Sequence, residues 1–342
     1  MKKEICLVLV ALFAAASICF FMTQSGFAQE KAYNLRYANF FPAPHRNSQV
    51  SEAWCKEVEK RTNGRVKIAY FPGGTLTPPA QTFDSVTTGI TDIGMSVLNY
   101  TRGKFPLMDA INQPMGYKSA YTVTKLANEF YRKFRPRELD EVKVMYLHGH
   151  GPGLLHTKKP VTKLEDVKGM KIRASGSITR IVYALGGSPV GTTMPETYDA
   201  LRTGVADGAL APYEALYGFK WGEVVSSTTE CYPISYTDIE FVVMNKDKWN
   251  ALPPDIQKTI EKINEEWIEK QGRAWDEIDK EGKEFVIKRG NKVQTLSAQE
   301  GARWKAAVQP LVDDYIKTNK AKGLPAEAAV KFVQDYLKAN QK

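Results

Sequence analysis

The chain has 342 residues and a formal net charge of +9, long enough for two domains of ordinary size. Its positive residues lie among acids, as in EKINEEWIEK, and no basic run is interleaved with aromatics, which argues against nucleic acid as a partner. Four cysteines are too few for a disulfide framework, and no stretch beyond the N-terminus approaches a membrane-spanning length.

Lys2 and Lys3 open the chain, an apolar run from Ile5 to about Met22 follows, and Gly26-Phe27-Ala28 offers a cleavage site before Gln29. This is the three-part grammar of a secretory signal over residues 1–28, and it predicts a periplasmic protein. An apolar run of about 18 residues sits at the lower limit for a span, which disfavours a retained anchor. Ile18 before Cys19 disfavours a lipoprotein, since a small residue is wanted there. Cleavage leaves Cys55 and Cys231, with one disulfide open to them.

YNLRYAN then alternates as a strand, and Pro42 and Pro44 end it in a loop. SQVSEAWCKEVEKRTNG places Val50, Trp54, Val58 and Arg61 at helical spacing, and Asn63-Gly64 closes the helix. RVKIAYF, a short helix in AQTFDSVTTG and TDIGMSV continue the rhythm of a parallel sheet covered by helices. A helix from about Ser119 to Arg135 leads to the strand VKVMYLH. The rhythm restarts with a Thr162/Glu165 helix cap, the strand MKIRASG, the helix SITRIVYALGG, a Thr193/Glu196 cap and the strand VADGALAP. IEFVVMN is a strand with no crossover helix before it. From Pro254 a helical pattern runs to about Arg289, interrupted only mildly by Gly272 and Gly282. About 35 residues at 1.5 Å each give a helix of roughly 50 Å, long enough to span two lobes. Two more helices begin at Ser297 and near Pro325.

The stretch HGHGPGLLH, residues 148–156, holds three of the four histidines. His148 and His150 share a strand face, and His156 could supply a third metal ligand. No acid lies between them and Pro152 intervenes, so no metal is expected. Gly149-x-Gly151-x-Gly153 lacks a third glycine at nucleotide spacing, and Pro160 argues against a helix N-terminus offered to an anion. Neither Gly-x-Ser-x-Gly nor His-Glu-x-x-His is present. A secreted enzyme using His148, His150 and Glu214 is the competing class; no cofactor and no catalytic residue are expected. Arg173 is a stronger candidate. It ends a strand, where open α/β sheets gather ligands, and a guanidinium there can hold a carboxylate by two parallel hydrogen bonds. Ser175 follows in the same loop.

Six runs then cover nearly the whole mature chain in order: LRYANFFPAPH, EKRTNGRVKIAYFPGGTL, TDIGMSV, KKPVTKLEDVKGMKIRASG, LGGSPVGTTMPETYDALRTGVADGALAPYEAL and VVMNKDKWNALPPDIQKTI. By them the chain resembles the solute-binding proteins of tripartite ATP-independent periplasmic (TRAP) transporters, dicarboxylate-binding-protein-like. The resemblance implies an α/β, two-lobed periplasmic-binding-protein fold, each lobe a mixed, mostly parallel sheet flanked by helices, with a long helix spanning both. It implies lobe I from 29–150 and 240–285, lobe II from 151–239 and 286–342, and hinge strands near 148–153 and 236–241. It also implies that Arg173 pairs with a ligand carboxylate. Asn39, Phe40, Phe41 and His45 would reach the cleft from one loop, and Ser96, Asn99 and Tyr100 from another. Met194, Pro195, Ala211, Tyr213 and Glu214 would line the other lobe.

Sugar-acid binders of this family place an amide near the latter turn and a second arginine after the hinge. This chain has Ala211 or Tyr213 in the first place and Gly153 or Leu154 in the second, which disfavours a sialic-acid-like ligand. Phe40, Phe41, Tyr100, Tyr213, Trp221, Tyr236 and Phe241 fall at loops or strand ends that can face a cleft, where aromatic faces cover a ring or an aliphatic acid. The expected ligand is a small organic acid, a monocarboxylate with an apolar or aromatic body. A monomer would capture it by lobe closure and deliver it to the membrane permease subunits; a sensor using the same closed form reads identically in sequence. The glycines of 149–153 would give the crossing strand freedom to rotate and let ligand approach, and His150 is the histidine expected at the ligand.

Overall fold

The computed structural model describes residues 32–341; the segment 1–28 expected to direct export, with Cys19, lies outside the described residues. The chain begins with β1 (Tyr33–Asn39), α1 (Arg46–Arg61), β2 (Val66–Phe71), α2 (Thr82–Thr87), β3 (Ile93–Val97), α3 (Ala120–Phe134) and β4 (Val142–Gly149). A second run follows, with β5 (Leu154–Thr157), β6 (Lys171–Arg173), α4 (Thr179–Ala184), β7 (Ser188–Val190), α5 (Met194–Thr203), β8 (Gly208–Ala211), α6 (Glu214–Gly218) and β9 (Ser227–Glu230). The chain then continues through β10 (Ile239–Asn245), α7 (Lys246–Asn250), α8 (Pro254–Lys288), β11 (Lys292–Thr295), α9 (Ala298–Ala321) and α10 (Ala326–Asn340).

The strands form two sheets, ordered β2-β1-β3-β10-β4 and β11-β9-β5-β8-β6-β7. β1 runs parallel to β2 and β3, while β10 runs antiparallel to β3 and β4. In the second sheet β6 is parallel to β7 and β8, β9 is parallel to β11, and β5 is antiparallel to both neighbours. β5 and β10 are the strands that enter a sheet directly from the other one.

Local chemistry sets the helix ends. The His45 ring accepts the Asn47 N–H at 3.1 Å at the start of α1, and Asn63 and Gly64 close that helix with φ of 52° and 76°. The Thr193/Glu196 cap forms, with backbone N–H and hydroxyl of Thr193 both 2.7 Å from the Glu196 carboxylate. The Thr162/Glu165 cap does not. There Asp166 accepts from Thr162 and Lys163, only one 3-10 turn forms, and Glu165 pairs with Arg303. Gly169, at φ 77°, turns the chain into β6 before a second helical turn can form.

Helix α8 is 35 residues long and fastens both halves. Its Asn264 accepts from Trp54 of α1 at 3.0 Å. Asp276 accepts from the Ser119 hydroxyl and the Ala120 N–H (2.8 and 2.7 Å) at the start of α3, whereas Asp279 accepts from the Glu214 N–H (2.8 Å) at the start of α6. One turn of α8 thus caps a helix in each half. The two glycines within it are contact points: a methyl at Gly272 would sit 3.0 Å from Tyr121 Cα, and one at Gly282 would sit 2.1 Å from the Tyr213 carbonyl oxygen.

The sequence assigns residues 286–342 to the second lobe, and the contacts divide them. Glu300 of α9 accepts from the Leu164 N–H at 3.0 Å, in the second half. Farther along α9 the Tyr315 hydroxyl reaches the carbonyls of Pro106 and Leu107, and Phe332 of α10 packs on Phe130 and Phe134 of α3. An amphipathic helix docks wherever its apolar face is covered, and sequence order does not fix that. Cys55 and Cys231 are buried and unpaired. No helix among the described residues is long and apolar enough to cross a membrane.

Candidate functional site

Two short segments run directly from a strand of one sheet to a strand of the other, 150–153 and 231–238, and they bond to each other. The Gly153 N–H donates to the Tyr236 carbonyl at 2.8 Å, the Thr237 hydroxyl to the His150 carbonyl at 2.9 Å, and the Asp238 N–H to His150 Nε2 at 2.9 Å. Gly149, Gly151 and Gly153 all avoid the left-handed backbone region. They serve close packing instead: added methyls would lie 2.4 Å from Val123, 1.8 Å from Asp279 and 2.1 Å from Tyr236. What comes close to these glycines is the protein itself.

Beside the crossing lies a small cavity. Phe40, Phe41, Tyr100, Tyr236 and Trp275 form its aromatic wall, joined by Val97, Met194, Ala211 and Pro212. Its polar groups are His150, Arg173, Ser175, Glu214, Asp238 and Glu240. Contacts between the halves draw it shut: the Met194 N–H donates to the Tyr100 hydroxyl at 3.0 Å, and Ser177 and Arg180 both reach Asp109 (2.5 and 3.2 Å).

Arg173 enters from the end of β6 and is 2% exposed. Its Nε and Nη2 donate to the Thr192 carbonyl at 3.0 and 2.7 Å, and the guanidinium lies 5.4 Å from the centre of the Trp221 ring. Its hydrogen bonds all go to main-chain carbonyls, and among the described residues no carboxylate forms an ion pair with it. A cation buried in this way would be stabilised by an anion beside it.

Three acids share the wall. Glu214 Oε1 lies 2.5 Å from His45 Nε2, joining α6 to the loop after β1. Asp238 accepts from the Ser175 hydroxyl at 2.5 Å on one side and from the Asn99 amide on the other. Burial pushes the Asp238 carboxyl up to about 6. Burial, then the nearby Asp238 and Glu214, push Glu240 well above the usual carboxylate range.

The histidines of 148–156 do not converge. His148 Nδ1 accepts the Trp275 indole N–H at 3.0 Å, and His156 donates to the Ala211 carbonyl at 3.0 Å while accepting from Thr228 at 2.9 Å. His150 Nδ1 donates to the Gly151 carbonyl at 2.6 Å. Burial lowers His148 to about 3 and His150 and His156 to about 4, so all three rings are neutral at pH 7. Among the described residues no three His, Cys, Asp or Glu side chains are placed to share a metal ion.

Of the residues picked out in the sequence, Phe40, Phe41, Tyr100, His150, Arg173, Ser175, Met194, Ala211, Glu214 and Tyr236 line the cavity. Asn39 does not; it holds the loop, donating to Ser51 at 3.0 Å and accepting the Phe41 N–H at 2.9 Å. His45 stacks on Phe41 at 4.4 Å from behind, Asn99 acts through Asp238, and Trp221 backs Arg173. Tyr213 turns away to Glu230 (3.0 Å), and Pro195 is exposed in the first turn of α5. Ser96 and Phe241 lie opposite each other in the β3–β10 register and face away, Ser96 onto the Pro79 carbonyl at 2.7 Å and Phe241 onto Phe83 at 5.5 Å. Their neighbours Val97 and Glu240 are the paired residues that face the cavity, because strand side chains alternate.

Val97, Pro212, Asp238, Glu240 and Trp275 complete the wall unannounced. Glu240 did carry a signal, as the one acid inside the otherwise apolar strand IEFVVM. Trp275 carried none, because only the docked α8 decides which of its turns meets the cleft.

A family model described as bacterial extracellular solute-binding protein, family 7, matches residues 39–319. The chain belongs to this family. The C4-dicarboxylate-binding periplasmic protein DctP of Vibrio cholerae is 24% identical over 303 residues, 84% of each chain. A TRAP periplasmic solute-binding protein from Desulfovibrio salexigens, solved in an open complex, is 32% identical with a TM-score of 0.80, covering 91% of this chain and 97% of that one. A marine metagenome TRAP solute-binding protein, specific for aromatic acid ligands and solved with 3-hydroxybenzoate, is 29% identical with a TM-score of 0.87, covering 91% and 100%. The two-sheet architecture with its long helix is thus that of the family 7 proteins of TRAP transporters, whose members bind small organic acids. The competing reading as a secreted enzyme gives way to this one.

Proposed function

We propose that this family member captures an aromatic or similarly flat monocarboxylate. The observation that carries the reading is Arg173, a buried cation that forms no ion pair with a carboxylate among the described residues, set in a wall of Phe40, Phe41, Tyr100, Tyr236 and Trp275. The guanidinium takes the carboxylate and the rings cover the body. A second carboxylate on the ligand would meet Glu214, Asp238 and Glu240 and no second arginine, which speaks against a dicarboxylate. The aromatic acid held by the marine metagenome relative supports the same class.

In this reading residues 1–28 direct export, and the protein works as a monomer in the periplasm without catalysing a reaction. The halves close about the crossings at 150–153 and 231–238, and the closed form is delivered to the permease. Residues 29–150 and the β10–α8 segment belong to one lobe and 151–239 to the other, with α9 bridging them.

Calorimetry with benzoate, hydroxybenzoates, succinate and glucuronate tests the reading. Arg173→Ala is expected to weaken binding on the order of a hundredfold or more, since two charge-assisted hydrogen bonds are lost. Arg173→Lys keeps the charge but loses the fork and should also bind weakly. Tight binding of succinate or glucuronate with none of the aromatic acids would refute the ligand class. Wild-type affinity in Arg173→Ala would remove Arg173 from the site.

A further inference from the structure

One group in the cavity wall has no role in carboxylate capture. Glu240 stands on β10, opposite Val97 and His148 in the register, and is 3% exposed. Its Oε2 has no hydrogen-bond partner among the described residues. His148 Nδ1 lies 3.5 Å from it. That contact is no ion pair, because the Nδ1 lone pair already accepts the Trp275 indole N–H at 3.0 Å and the ring is neutral. Asp238, two residues earlier, differs sharply: Ser175 and Asn99 both donate to it. A buried carboxyl oxygen left without a partner is destabilising, and a fold that retains one calls for an explanation.

We propose that Glu240 reads a hydroxyl on the ligand, so that the preferred ligands are hydroxylated aromatic acids held between Arg173 of the second sheet and Glu240 of the first. The inference rests on the aromatic-monocarboxylate reading and adds the second polar group. A phenolic or benzylic hydroxyl both donates and accepts, so it satisfies the carboxyl whichever oxygen bears the proton. A site built to bond a hydroxyl rejects the analogue lacking it, because its own polar group then stays unpaired. The arrangement also explains how an acid can belong to an anion-binding site: Arg173 would take the carboxylate and Glu240 the hydroxyl.

The test is calorimetry of benzoate against 2-, 3- and 4-hydroxybenzoate and mandelate, on wild type, Glu240→Leu and Glu240→Gln. In wild type the best hydroxylated acid is expected to bind about tenfold more tightly than benzoate, the worth of one good hydrogen bond. Glu240→Leu should abolish that margin by weakening the hydroxylated acid more than benzoate, and it should melt no lower than wild type. Glu240→Gln, which keeps the shape and a hydrogen-bonding group, should retain part of the margin and supplies a folded comparison. A margin unchanged in both variants, or benzoate equal to every hydroxylated acid in wild type, overturns the role of Glu240 alone. Failure of all these acids to bind wild type overturns the aromatic reading and this inference with it.

Discussion

Gly151 offers the sharpest test of how the crossing is built. Its backbone is ordinary for any L-residue, so Gly151→Ala carries no conformational strain, and by itself should stabilise by about 0.4–1 kcal/mol through the unfolded chain. The new methyl, however, would lie 1.8 Å from Asp279 Oδ2 and 2.9 Å from its Cγ. The carboxyl has to swing away, and its Oδ1 then leaves the Glu214 N–H that it now meets at 2.8 Å. Overpacking costs about 1–3 kcal/mol, and the lost hydrogen bond adds about 0.5–1.5 kcal/mol. Less the backbone gain, a net loss of about 2 kcal/mol is expected, a fall in Tm of roughly 4–8 °C at 2–4 °C per kcal/mol. A double-mutant cycle with Asp279→Ala isolates the cause. In that background the methyl has nothing to displace, so the two changes should couple by about 2 kcal/mol, well outside the 0.3–0.5 kcal/mol scatter of independent sites. Additive effects, or a Gly151→Ala variant that melts with wild type, would refute the claim that this glycine exists to admit Asp279.

Two other outcomes follow from single contacts. Tyr100→Phe removes the acceptor for the Met194 N–H, which joins the halves across the cavity. Ligand affinity should fall roughly three- to tenfold with little change in unliganded Tm, and unchanged affinity would show that the bond plays no part in closure. His156 has a folded pKa lowered to about 4 from 6.5. Its neutral ring therefore contributes fully above pH 6.5 and loses that contribution as pH falls toward 4, while the unfolded chain takes up the proton. The stability advantage of wild type over His156→Gln should shrink by about 2 kcal/mol between pH 7 and pH 5 in denaturant titrations. A constant gap would mean that His156 is not held neutral.

Much of this molecule was legible in its sequence because the relevant physics is local. Asn63-Gly64, Thr193 with Glu196, and Pro254 with the run behind it state where helices start and stop. Arg173 at the end of a short strand stood out as a candidate, since strand ends and guanidinium geometry need no distant partner to be recognised, and it lies in the cavity wall. Polar strands such as β9 (STTE) and edge strands such as β11 escaped notice, because buried threonines in a sheet look like loop in isolation.

The tertiary structure decided what depends on facing. Ser96 and Phe241 were chosen where Val97 and Glu240 face the cavity, a slip of one residue in both strands that only the β3–β10 register could correct. It gave the three histidines their partners on Trp275, Asp238 and Ala211, which no spacing announces. It also gave the glycines among them their purpose. Composition and periodicity fix which segments become helix or strand, but the side of a strand, the turn of a helix and the partner of a buried polar atom are set by what lies across the gap.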